Sequence, residues 1–204
     1  MKKYKNIIFD MGGVLVNWKP KEFIKKIFQD KPHIQEINWQ NLSQSKIFQD
    51  FEKGILNFDQ VLNLVPEKKH KEQIKIFFEN LHTYICPLKE GLDIFDLIKN
   101  KNYKTYILSN FEKDLFEKSS NFHNYNNFLD KFDGQIISYR VNCRKPEPKI
   151  YQILLKNYNL KPEESFFIDD MPENINSAKN LGIDGVICKN HEIVLNTFKE
   201  LHIL

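Results

Sequence analysis

Asn6-Ile7-Ile8-Phe9-Asp10-Met11-Gly12-Gly13-Val14-Leu15 is the stretch that decides the fold. An apolar run stops at an acid, two glycines follow, and a second apolar run begins. Ile7, Ile8 and Phe9 are β-branched or aromatic with no polar alternation, which predicts a short strand covered on both faces. Asp10 then falls at the carboxyl end of that strand, where parallel sheets present ligand-binding groups. Gly12 and Gly13 allow a sharp turn and a close backbone approach to a ligand. By itself the stretch is equally a strand, a turn and an acid that caps the next element.

Working outward, the texture changes twice. From residue 20 to 88 the apolar spacing is helical. Phe23, Ile24, Ile27 and Phe28 form one stripe, and Phe48, Phe51, Ile55 and Phe58 another, with a turn in Phe51-Glu52-Lys53-Gly54. Val61, Leu62, Leu64 and Val65 run up to Pro66, and Ile74, Phe77, Phe78, Leu81 and Tyr84 mark a further helix. This block predicts a bundle of about four helices and no strand. Its aromatic residues Trp39, Phe48, Phe51, Phe58 and Tyr84 are expected mostly in its core.

Beyond it, helices alternate with short apolar strands. Strands are expected at Tyr106-Ile107-Leu108, Gln135 to Ser138, Phe166-Phe167-Ile168 and Gly185 to Cys188. Helices are expected around Leu92 to Ile98, Pro148 to Tyr158, Asn174 to Leu181 and Ile193 to Leu201, with a Phe-rich helix or loop over Asp114 to Phe128. Alternation of this kind implies right-handed βαβ units and a parallel sheet. The expected organisation is an α/β core from residues 1–19 and 89–204, interrupted by a helical domain over 20–88.

The chain has 204 residues, enough for one domain with a substantial insertion, and its 41% hydrophobic and 28% charged content is ordinary for a globular protein. A net charge of +3, spread along the chain, gives no reason to expect nucleic acid, and Glu67-Lys68-Lys69-His70-Lys71 reads as a solvated surface. Cys86, Cys143 and Cys188 lie far apart with no CxxC pair, which argues against a disulfide framework or zinc site and for a reducing, cytoplasmic setting. The apolar run after Met1-Lys2-Lys3 ends at Phe9, too short for a secretory or membrane-spanning segment, so no membrane partner is expected.

Three strands end in polar groups: Asp10, Ser109-Asn110 and Asp169-Asp170. In a parallel sheet these ends share one edge and are expected to converge on one crevice. Arg144-Lys145-Pro146-Glu147-Pro148 adds cations at the start of a helix, whose N-terminus also attracts anions. Three close carboxylates repel unless a cation lies among them, and hard oxygen ligands favour Mg2+. A hydroxyl, an amide and a lysine beside such a metal suit phosphate oxygens, and a carboxylate free to attack phosphorus gives an aspartyl-phosphate. Each group alone is as readily a cap. Four at four element junctions favour a site.

The sequence resembles the haloacid dehalogenase-like hydrolases over nearly its whole length. Phe9-Asp10-Met11-Gly12-Gly13-Val14-Leu15 resembles the first motif of that superfamily, Leu108-Ser109-Asn110 the second, Arg144-Lys145-Pro146-Glu147-Pro148-Lys149-Ile150-Tyr151 the third and Ile168-Asp169-Asp170-Met171-Pro172-Glu173-Asn174-Ile175 the fourth. The helical block resembles its small helical cap, and Phe51-Glu52-Lys53-Gly54 the cap signature of sugar-phosphate phosphatases such as glucose-1-phosphate phosphatase.

The resemblance implies a Rossmann-like parallel sheet with helices on both faces plus an inserted helical-bundle cap. It implies a Mg2+-dependent phosphatase acting on a small phosphorylated metabolite, a sugar phosphate by preference, through an aspartyl-phosphate. Asp10 is then the nucleophile and Lys145 the charge-neutralising lysine, while Ser109, Asn110 and Lys145 bind the phosphoryl group. Asp10, the carbonyl of Gly12 and Asp170 hold the metal, with Asp169 a direct or outer partner. One departure stands out. Most phosphatases of the family carry an acid two residues after the nucleophile, and here that position is Gly12. Glu52 and Asn17 are candidates to replace it. Two other readings remain open: a catalytically weak phosphate-binding regulator on the same scaffold, and a metal-independent 2-haloacid dehalogenase, which the acidic pair opposes.

Overall fold

The structure, a computed structural model, describes residues 3–29, 38–123 and 126–204. Five strands form one parallel sheet: β1 (Asn6–Phe9), β2 (Lys104–Ser109), β3 (Gly134–Ile137), β4 (Ser165–Asp169) and β5 (Asp184–Ile187), in the order β3-β2-β1-β4-β5. The opening strand is central. Phe9 is in register with Ile107 on one side and Ile168 on the other, so Asp10 emerges beside the ends of both neighbours.

Alternation along each strand splits the core in two. Ile7, Phe9, Ile107, Phe166 and Ile168 face α6 (Lys89–Asn100) and α12 (His191–Glu200), through Phe95, Ile98 and Phe198. Ile8, Leu108 and Phe167 face α10 (Pro148–Asn157) and α11 (Pro172–Asn180), through Ile150, Leu154, Ile175 and Ala178. Both of these helices start with Pro at N1 or N2, where a missing N–H costs nothing. Between β2 and β3 lie α7 (Lys113–Phe122) and α8 (Asn126–Leu129), and α9 (Ser138–Val141) follows β3 directly. Ser138, expected in the strand, therefore opens a helix.

The helical block holds five described helices rather than about four: α1 (Pro20–Ile27), α2 (Trp39–Gln44), α3 (Lys46–Glu52), α4 (Phe58–Leu64) and α5 (Lys68–Leu81). The extra one arises at Ser45, which ends α2 and caps α3 by accepting the Phe48 N–H. Asn57 and Gln60 form a capping box for α4. Ile55 and Leu64, read as apolar-face residues, are instead exposed. For Ile55 the cause is Gly54, whose φ of +68° turns the chain away at the end of α3. Phe23, Phe48, Phe51 and Phe77 join the same buried cluster as the first face of the sheet.

Candidate active site

The strand ends build the floor of a cavity of about 360 Å3. Asp10 leaves β1 with its N–H donating to the Ile168 carbonyl (2.9 Å), while the Met11 N–H returns to Asp10 Oδ1 (2.6 Å). Lys145, buried in the loop before α10, brings Nζ to 2.7 Å from Asp10 Oδ1 and 2.6 Å from Asp169 Oδ2. One Asp10 oxygen is thus held twice. The other has no hydrogen bond or ion pair to the described residues.

Asp169 is fully buried and fully engaged. Its Oδ1 accepts from the Met171 N–H (2.8 Å) and from Asn174 Nδ2 (2.9 Å), and Asn174 also reaches Oδ2 (3.0 Å). Its work in this arrangement is to fix Lys145. Asp10 and Asp170 both line the cavity. Asn110, expected at the substrate, also lines it, but its carboxamide donates to the Lys145 carbonyl (2.9 Å) and accepts from the Lys145 N–H (2.8 Å). Ser109, at the end of β2, and Gly12 are cavity-lining too. Asp10, Gly12, Ser109, Asn110, Lys145 and Asp170 therefore converge on the cavity, with Asp169 directly behind it on Lys145.

Gly13 has a φ of +70°, and a Cβ there would lie 2.8 Å from Asp170 Oδ2. The second glycine is what lets this carboxylate stand against the β1 turn. A Cβ at Gly12 would meet the Trp18 side chain at 3.3 Å, so the indole occupies the flank where the expected acid would begin.

Asp10, Asp169 and Asp170 offer carboxylate oxygens within 4.8 Å of one another. Burial pushes the Asp10 carboxyl up to about 8, with Lys145 pulling the other way and Asp169 and Asp170 adding to the rise. Asp170 is pushed up to about 6 by burial and by Asp169. Burial also opposes the Lys145 charge, yet Asp10 and Asp169 outweigh it and hold its pKa above the usual lysine value. One ammonium does not balance the three acids, and an oxygen-only donor set of this kind fits a small hard cation such as Mg2+.

The walls combine residues of the helical block, Trp39, Phe48 and Glu52, with Trp18, Glu112 and Arg144 from the rest of the chain, and of these only Glu52 is picked out by the sequence as a candidate site residue. Trp39 and Phe48, expected in the core, line the cavity and form a chain of edge-on contacts with Trp18 at 5.3 and 5.8 Å between ring centroids. Glu52, at the end of α3, lies across from Arg144, with 2.9 Å between Oε2 and Nε. Burial raises the Glu52 carboxyl and Arg144 opposes the rise. Glu112 caps α7 by accepting from the Asp114 N–H (2.8 Å) and the Leu115 N–H (2.5 Å), and it too reaches the cavity. Asn17, the other candidate to replace the missing acid, is not on the cavity wall. Asn174 was missed; its one signal is its place in the first turn of the helix after the acidic pair.

Among the described residues no helix is long and apolar enough to cross a membrane. A model of the haloacid dehalogenase-like hydrolase family matches residues 4–182. D-ribitol-5-phosphate phosphatase of Bacteroides thetaiotaomicron is 28% identical over 190 residues, covering 88% of this chain and 89% of that protein. A sesquiterpene phosphatase of Aspergillus oryzae is 25% identical over 185 residues, covering 90% and 89%. A solved structure of a family enzyme from B. thetaiotaomicron, in a magnesium complex, superposes with a TM-score of 0.69 at 27% identity, covering 91% of this chain and 93% of that one.

Proposed function

The chain belongs to the haloacid dehalogenase-like hydrolases, and from that premise we propose that it is a Mg2+-dependent phosphatase that cleaves a small phosphorylated metabolite, a sugar or polyol phosphate by preference, through an aspartyl-phosphate on Asp10. Hydrolysis of phosphoric monoesters is the activity of its phosphatase relatives. The carrying observation is the Lys145 ammonium held between Asp10 and Asp169, at 2.7 and 2.6 Å, with the second Asp10 oxygen left free at the cavity floor.

In this reading residues 20–88 are a cap over a core of residues 1–19 and 89–204. Asp10, the Gly12 carbonyl and Asp170 would hold Mg2+, with Asp169 serving through Lys145. The bound cation supplies charge neutralisation at the phosphoryl oxygens and lowers the pKa of the Asp10 carboxyl. The free Asp10 oxygen attacks phosphorus in line, and the bond to the ester oxygen breaks. Lys145 and the Ser109 hydroxyl hold the phosphoryl oxygens as charge develops on them. Water then cleaves the acyl phosphate and restores Asp10. Gly12 has no proton to give the departing alkoxide, so solvent within the cavity supplies it and esters with good leaving groups react fastest. The free cysteines accord with a reducing, cytoplasmic setting.

The test is release of phosphate from p-nitrophenyl phosphate. Turnover is expected with Mg2+, to vanish with EDTA, and to fall at least ~10³-fold in Asp10→Asn. Activity that survives either treatment overturns the mechanism. Phosphate binding without turnover of any ester supports a regulator instead.

A further inference from the structure

Glu52 and Arg144 are a half-used ion pair. Oε2 and Nε are 2.9 Å apart and closed to solvent, yet the contact is out of line, and neither atom has a hydrogen-bond partner of ordinary geometry. Among the described residues neither side chain makes another polar contact. The second carboxylate oxygen and the Arg144 Nη donors are therefore uncommitted on residues that line the same cavity as Asp10 and Asp170. The side chains keep 13% and 20% of their exposure.

The pair is also fixed in place from behind. The Glu52 carbonyl accepts from Ser138 Oγ (2.5 Å), the Lys53 carbonyl from Asn142 Nδ2 (2.9 Å), and Lys53 Nζ pairs with Glu147 (2.5 Å). Gly54 packs so closely that a Cβ would lie 2.8 Å from the Tyr139 carbonyl oxygen. An acid from α3 and a cation from the loop before α10 are thus held side by side, one side acceptor-only and the other donor-only.

We propose that Glu52 and Arg144 form a hydroxyl-recognition site in the cavity wall, which selects phosphate esters with a hydroxylated body over apolar ones. This rests on the phosphatase reading of the floor. Hydroxyl groups both donate and accept, so adjacent hydroxyls of one substrate satisfy the carboxylate and the guanidinium together. An apolar body would bury both and leave them unpaired, which is the situation in which enzymes discriminate most strongly. The aromatic wall of Trp18, Trp39 and Phe48 suits either kind of body. The charged pair is what separates them.

The experiment compares a pentitol 5-phosphate with n-pentyl phosphate, which has the same number of carbons and no hydroxyl. Wild-type protein is expected to favour the pentitol ester at least tenfold in kcat/KM, mainly through KM. In Glu52→Gln and in Arg144→Lys that preference should shrink at least tenfold. Calorimetric binding of both esters to Asp10→Asn protein with Mg2+ gives the same ratio without turnover, so failure of the phosphatase reading is seen separately, as selective binding in the calorimeter with no hydrolysis of either ester by wild-type protein. Equal handling of the two esters by wild type, or variants that weaken both in the same proportion, overturns the proposal.

Discussion

The floor and the walls of the cavity are built on different physical terms. At the floor, Asp10, Lys145 and Asp169 sit on the ends of neighbouring parallel strands or bond directly to them, and almost every polar atom has a partner at 2.6–3.0 Å. On the walls, aromatic rings meet edge-on and a single ion pair is out of line. Chemistry that must place charge within fractions of an ångström is carried by rigid elements and closed networks. In the proposed reading, discrimination among substrates falls to the aromatic rings and to the Glu52–Arg144 pair, whose polar groups remain unfilled.

The largest test of this contrast is Lys145→Met. The substitution leaves two buried acids, Asp10 and Asp169, without their shared cation. Removing one partner of a buried pair costs about 3–5 kcal/mol, and loss of one charge-stabilising group lowers kcat roughly 10²–10³-fold. Thermal melting and p-nitrophenyl phosphate turnover should therefore fall together. A variant that melts like wild type would show that the floor is not the closed network described.

A pair of glycine substitutions sharpens the comparison. Gly13→Ala and Gly54→Ala both place a Cβ at positive φ and 2.8 Å from an oxygen. Each should lose about 1 kcal/mol from backbone strain alone. Their functional effects should part. Gly13→Ala pushes against the Asp170 carboxylate and should cut kcat at least tenfold, with a rise in the Mg2+ concentration needed for half activity. Gly54→Ala pushes against the Tyr139 backbone and should act on stability and KM. Equal kinetic loss from both would erase the distinction between floor and wall.

The same division explains how far the sequence could be read. Strand ends announce themselves because an apolar run must stop at a definite residue, and Asp10, Ser109 and Asp169 each stand at such a stop. Parallel pairing then forces convergence, whatever the helices do. The walls carry no such mark. Trp39 and Phe48 look like core because an aromatic residue at helical spacing is usually core, and only packing decides that one side of each ring faces the cavity. Ile55 fails for a local reason, the turn at Gly54, and Leu64 lies at the exposed end of α4. The pairing of the Asn110 carboxamide with the Lys145 backbone joins residues 35 apart in sequence and has no local signature.

Glu112 stands between the two regions and gives the smallest expected effect. It lies on the core side, caps α7 through two backbone N–H groups, and is buried against the cavity wall. Burial pushes its carboxyl up to about 7; the two N–H bonds and Lys118 pull it down, and Asp114 adds to the rise. An unfolded glutamate titrates near ~4.3. Between that value and about 7 the folded protein binds more protons than the unfolded one, so this group's share of stability falls as pH rises through the interval and is flat above it. Gln at position 112 keeps a carbonyl acceptor for the cap and cannot ionise. The melting temperature of Glu112→Gln relative to wild type should therefore rise between pH 5 and pH 8, by roughly 2–4 °C if about 1 kcal/mol is involved. A difference that stays constant with pH would mean that the carboxylate is as comfortable in its helix cap as in water, and that Glu112 belongs with the satisfied polar groups of the floor.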